Sequence, residues 1–231
     1  MANFLLLHGA SSTGWIWHRV AGALRASGHD VAAPDLPCAD PEADLHTYID
    51  VAMSAADRFG DDRVVVVAQS MAGLFAPVLP FRRPVAQIVL VAAMIPRPGE
   101  SGFDWAASSG SQEAQATYLA QLGLADRDPF DPELIFVHDF DDALKAESAQ
   151  HVPSQTMGPL QTPSPFLAWP EVPTHVVAAT EDRFYPLDFM RAQAHDRLGV
   201  EPDTIPGGHL ALLSQAPALA ALLHGYVTTN A

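Results

Sequence analysis

Ser70 stands in the run VVVVAQSMAGLF (residues 64–75), where four valines lead into a serine flanked by Ala68, Ala72 and Gly73. A serine hydroxyl becomes a nucleophile when a neighbouring base takes its proton, and that base needs an orienting acid. On a sharp strand-to-helix turn, small residues two before and two after let the serine oxygen stand exposed above a sheet. Ala68 and Ala72 meet that steric demand, although glycine is usual at both places. The short motif is common by chance; its place at the end of a buried strand is what gives it weight.

Ten histidines compete for the role of base. His18, His46 and His195 fall in helical patterns among polar neighbours, and His29 opens a strand. His209 lies in IPGGHLALLSQ, after the last strand-like run, where Gly207 and Gly208 permit a close approach. For a serine presented on a strand-to-helix turn of this kind of fold, the acid should fall between serine and histidine in chain order. The stretch ATEDRFYP offers Asp182 and its neighbour Glu181. Adjacent loop residues point different ways, so one of the two reaches the imidazole, and spacing leaves the choice near even. At the end of the first strand, in HGASSTGWIW, Gly9 allows close backbone approach. The amides of Ala10 and Met71 are the candidate oxyanion donors, placed where negative charge would develop. His8 reads as a buried histidine bracing that loop, without a catalytic role.

The elements that must position these groups are short apolar runs alternating with amphipathic stretches. Residues 3–7, 29–34, 63–68, 86–92, 174–179 and 202–206 read as strands, apolar rather than alternating as expected for strands covered on both faces. A helix is expected with Leu45, Tyr48, Ile49, Ala52, Met53 and Ala56 on one face, entered through Asp40 and Pro41. Another carries Ile16, Val20, Ala23 and Leu24 and closes at Gly28, with Trp15 and Trp17 read as core. A third is expected from Met71 to Leu79. Strand alternating with helix implies an α/β fold, a mostly parallel six-stranded sheet flanked by helices. Residues 94–173 break the rhythm, with helical pieces near 112–122 and 139–150. The division expected is a core of residues 1–93 and 174–231 and a helical cap insertion of residues 94–173 over the site. Ligands of such sheets bind outside the carboxyl ends of the strands, where this insertion leaves.

Composition narrows the partners. Asp and Glu number 27 against 12 Lys and Arg, for a formal charge of −15, which argues against a nucleic-acid backbone as ligand. Cys38 is the one cysteine, so neither an intrachain disulfide nor a cysteine-built metal site is expected. The N-terminal apolar run is too short for a signal peptide and lacks a basic leader, and no run reaches the roughly 18 residues of a membrane span. A cytoplasmic chain without internal repeats is expected, acting as monomer or homodimer.

With these residues placed, the chain resembles the alpha/beta-hydrolase superfamily, and within it the branch of plant methyl esterases and hydroxynitrile lyases. The resemblance covers the sheet portions, residues 3–93 and 174–227, and the matching stretches are LLLHGASSTGWIWHRV, SGHDVAAPDL, VVVVAQSMAG, VLVAAMIP, TEDRFYP and GGHLALLSQ, in that order. The resemblance implies Ser70 as nucleophile, His209 as base and Asp182, above Glu181, as acid. Two departures stand out: Ala68 and Ala72 replace glycines of the elbow, and Gln69 replaces its histidine. In the related lyases a threonine follows the first-strand histidine and a lysine follows the catalytic one; Gly9 and Leu210 stand there in this chain.

The function expected is a serine hydrolase cleaving a small, largely apolar ester, thioester or lactone, with no cofactor and no metal. Trp105, Phe130, Phe136, Met157, Leu160 and Phe184 are the candidate pocket residues. A carbon–carbon lyase on the same triad and a non-catalytic small-molecule binder are the rival readings. Retention of serine, acid and histidine together argues against the binder.

Overall fold

A computed structural model describes residues 1–228. The last three residues of the range 174–231 lie outside the described residues. Strands β1 (Asn3–Leu7), β2 (Asp30–Ala32), β3 (Val64–Gln69), β4 (Val85–Val91), β5 (Thr174–Ala179) and β6 (Asp203–Ile205) form one sheet in the order β2-β1-β3-β4-β5-β6. All five pairings are parallel, so every strand delivers its carboxyl end to the same edge.

Successive side chains of a strand face opposite ways. Leu5, Leu7, Val64, Val66 and Ala68 accordingly enter one buried layer, and Phe4, Leu6, Val65 and Val67 enter the other. Helices α2 (Leu45–Ala56) and α8 (Leu187–Leu198) close the first layer; α1 (His18–Ala26), α9 (Ala211–Ser214) and α10 (Ala216–Thr228) close the second. Each large side chain buried this way contributes about 1.5–3 kcal/mol before the entropy of ordering it. That double burial is why the strands read as continuous apolar runs.

Two expectations are corrected. Helix α2 begins after Asp44, whose carboxylate accepts the Thr47 amide at 2.9 Å in a reciprocal capping box, so Asp40 and Pro41 lie upstream of its cap. The helix expected from Met71 to Leu79 is instead two 3₁₀ turns, Ser70–Leu74 and Ala76–Phe81. Pro77 and Pro80 have no N–H to donate, and an α-helical ladder cannot run through them.

Between β4 and β5 lie α3 (Gly102–Ser109), α4 (Ser111–Gln121), α5 (Pro132–Ile135), α6 (Asp142–Ser148) and α7 (Gly158–Gln161). The segment builds on the core of the sheet: Trp105 and Phe166 join the first layer, Phe140 and Leu144 the second. A buried ion pair, Arg197 of α8 with Glu100, clamps its beginning, and Arg197 also donates to the Ile95 carbonyl at 2.9 Å. Among the described residues, no helix is long and apolar enough to cross a membrane.

Candidate active site

The four loops that leave β1, β3, β5 and β6 meet at the sheet's carboxyl edge. Ser70 ends β3 with φ +52°, in the left-handed region that non-glycine residues rarely adopt. Such strain is of the order of 1–3 kcal/mol and persists only where the surroundings enforce it. Here the exit of β4 does so. The Met94 amide donates to the Ser70 carbonyl at 3.0 Å, and a Cβ on Gly73 would lie 2.0 Å from the Met94 oxygen. The small residue the elbow cannot replace is therefore Gly73, while Ala68 and Ala72 fit fully buried.

His209 Nε2 lies 3.0 Å from Ser70 Oγ, and its Nδ1 lies 2.8 Å from Asp182 Oδ2. The other Asp182 oxygen accepts the amides of Phe184 and Tyr185 at 2.7 and 2.9 Å, so the carboxylate is held from both sides. Asp182 is 1% exposed and His209 3%. Phe136, Phe184 and Tyr185 ring the imidazole edge-on, with centroids 5.6, 5.1 and 5.2 Å away. Burial pushes the Tyr185 phenol well above its ordinary range, and the Asp182 charge adds to that, which keeps it neutral. Glu181 points to solvent.

The loop after β1 is fixed by two buried polar side chains. The Leu36 amide donates to His8 Nε2 at 2.8 Å, so the ring proton sits on Nδ1, 2.8 Å from the Gly9 carbonyl that accepts it. Burial holds the His8 pKa below the imidazole range, in keeping with that neutral tautomer. Gln69, at the position where histidine is usual, accepts the Gly9 amide at 3.0 Å and donates to the His209 carbonyl at 3.4 Å. One side chain thereby joins the loop after β1, the turn at Ser70 and the loop that carries His209. Ser11 follows Ala10 with φ +51°, and its amide donates to Gln155 Oε1 of the insertion at 3.1 Å. Met71 follows Ser70 in the 3₁₀ turn and is buried.

A cavity of about 330 Å³ opens onto Ser70, His209 and Ala10, with walls that are mostly apolar. Of the six residues anticipated for it, Phe136 and Phe184 line it. The other four do not. Trp105 is 1% exposed and packs against Tyr185 and Phe189. Leu160 packs beside Gly102 against the first buried layer, and Phe130 and Met157 lie on the surface. Trp15, read as core, lines the cavity and is stacked between His18 and His151, at 4.7 and 4.1 Å between centroids; Trp17 is fully buried. His151, Ser148 and Val152 of the insertion complete the wall, and nothing local in the sequence marks them. A larger groove of about 520 Å³, between α4 and the start of α8, touches none of Ser70, Asp182 and His209.

The parallel sheet and the residues gathered at its carboxyl edge have the form of an alpha/beta hydrolase. The sequence matches the alpha/beta hydrolase family over residues 4–222, and the chain belongs to that family. It is 36% identical over 105 residues to methylesterase 7 of Arabidopsis thaliana, covering 41% of this chain and 40% of that protein. It is 31% identical over 106 residues to methyl jasmonate esterase 1 of Vitis vinifera, covering 42% of this chain and 41% of that protein. These matches thus span about two-fifths of the relatives' length. The fold superposes on the crystal structure of polyneuridine aldehyde esterase with a TM-score of 0.79 at 17% identity, over 98% of this chain and 99% of that one.

Proposed function

We propose that the chain is a serine hydrolase of carboxylesterase type, acting on a small, largely apolar ester, thioester or lactone. The observation that carries this reading is the continuous relay from Ser70 Oγ through His209 to Asp182, at 3.0 and 2.8 Å, at the end of an apolar cavity. In it, His209 Nε2 takes the hydroxyl proton as Ser70 Oγ attacks the carbonyl carbon. Asp182 holds the proton on Nδ1 and stabilises the imidazolium. The amides of Ala10 and Met71 receive the oxyanion. The imidazolium returns its proton to the leaving alcohol, and His209 then activates a water that releases the acyl group from Ser70. The cavity lies at the small end of the range for ligand sites, about 300–1,000 Å³, which favours a compact substrate. Trp15, Phe136 and Phe184 are its proposed contacts, and the insertion serves as the cap. The esterase names of the relatives agree with this reading.

A lyase reading finds no support in the residues beside the relay. Gly9 has no hydroxyl, and Leu210 brings no cation to a departing cyanide. The test is a panel of p-nitrophenyl esters, methyl esters and lactones, with mandelonitrile alongside, for wild type and Ser70→Ala. Ester hydrolysis should fall by about 10⁴–10⁶ in kcat in folded Ser70→Ala. A variant within about tenfold of wild type, only about 1.4 kcal/mol of barrier, sinks the assignment. Cyanide release that depends on Ser70, with no ester cleaved, would move the protein to the lyases. Turnover of neither, with no labelling of Ser70 by a fluorophosphonate, would make it a binder.

A further inference from the structure

Asp139 lies in the insertion between α5 and α6, and its Oδ2 accepts two hydrogen bonds from the base loop. The Gly208 amide donates to it at 2.9 Å and the Ser214 hydroxyl at 2.6 Å. These donors bracket His209 in sequence, one just before it and one at the end of α9. Gly207 and Gly208 are what admit the carboxylate. Gly207 has φ +96°, and a Cβ there would lie 2.9 Å from Asp139 Oδ2; one on Gly208 would lie 2.7 Å from His138 Nε2 and 3.1 Å from Asp139 Oδ1. The same segment is anchored by the buried Ile135 and Phe140, and it sets Phe136 against the imidazole. On its other side the loop is held by the Glu181 amide, which donates to the Gly207 carbonyl at 2.9 Å.

We propose that Asp139 is a positioning residue for His209: a carboxylate from the insertion that fixes the base loop where the imidazole meets both Ser70 and Asp182. This rests on the hydrolase reading above. A carboxylate suits the task because charged acceptors make short, strong hydrogen bonds to N–H and O–H donors. The relay tolerates little play, since a misplacement of about 1 Å can lower a rate about 100-fold. On this view the insertion completes the catalytic geometry as well as walling the cavity.

The test compares Asp139→Ala, Asp139→Asn, Ser214→Ala and Ser70→Ala with wild type. Steady-state hydrolysis of p-nitrophenyl acetate, the rate of Ser70 labelling by a fluorophosphonate, and circular dichroism at the assay temperature are measured for each. Asparagine keeps an acceptor oxygen for both donors, loses the charge and sets an NH2 group in the place of Oδ1, which has no hydrogen-bond partner. Folded Asp139→Ala should lose about 10- to 100-fold in kcat and in labelling rate, with KM within about threefold, while Asp139→Asn stays within about threefold of wild type. Folded Asp139→Ala with wild-type kcat overturns the proposal, and so does Asp139→Asn as impaired as Asp139→Ala. If Asp139→Ala does not fold, Ser214→Ala decides: a kcat loss at constant KM supports the proposal, and unchanged kcat overturns it. Hydrolysis that survives Ser70→Ala instead brings down the hydrolase reading, and the role of Asp139 with it.

Discussion

Asp182 and Glu181 are chemically near-equivalent neighbours, and the fold separates them by burial. Asp182 is enclosed, with one oxygen on two backbone amides and the other on His209, while Glu181 faces water. A carboxylate so fixed can select the imidazole tautomer that leaves Nε2 free to accept the serine proton. Asp182→Asn should therefore lower kcat by about 10⁴ with KM little changed, because the amide favours the wrong tautomer. Glu181→Gln should be near neutral. Esterase kinetics of the two variants check this, and the reverse ranking would assign the acid to the wrong neighbour.

The loop after β1 and the elbow after β3 touch through Gly9 and Gln69. A Cβ on Gly9 would lie 2.5 Å from Gln69 Oε1 and 2.7 Å from Ser70 Cβ, and both side chains are buried. Gln69 cannot swing aside without leaving the Gly9 amide and the His209 carbonyl. Gly9→Ala should consequently cost about 1–3 kcal/mol of stability, as overpacking does, and lower kcat tenfold or more by displacing Ser70. Thermal denaturation and ester hydrolysis read the two effects; a variant matching wild type in both would show that the loops part freely. The same crowding bears on the related lyases' threonine, which would meet Gln69 and Ser70 here.

Across the molecule, His8, His29, His138 and His175 are all held below the imidazole range, burial being the leading cause in each. Unfolding returns them to about 6.5, so below that pH the unfolded chain binds more protons than the folded one. Their contribution is fully present above about pH 6.5 and is lost as the pH falls toward the depressed folded values. Urea midpoints should hold between about pH 7.5 and pH 6.5 and decline from there to about pH 5.5, and His8→Gln should flatten part of the slope. Midpoints that rise over the same interval would contradict this account.

The sequence by itself determined the strands, the edge of the sheet where chemistry could gather, and the residues that could perform it. Runs such as VVVVA and THVVAA are apolar on both faces because helices cover both, and the loops that follow carry Ser70, Asp182 and His209. Local signals also had local limits. Asp44 with Thr47 outcompeted Asp40 as a cap, and two prolines turned an expected helix into 3₁₀ turns. What only the tertiary structure decided is how residues 94–173 meet the sheet. Trp105 packs into the core and Trp15 faces the cavity, because the insertion carries Trp105 onto Tyr185 and Phe189 and brings His151 to stack on Trp15. The contacts of Asp139 with Gly208 and Ser214 span 69 and 75 positions, too far for any periodicity to register. Their only local trace is the glycine pair before His209, which marks a close approach without naming what approaches.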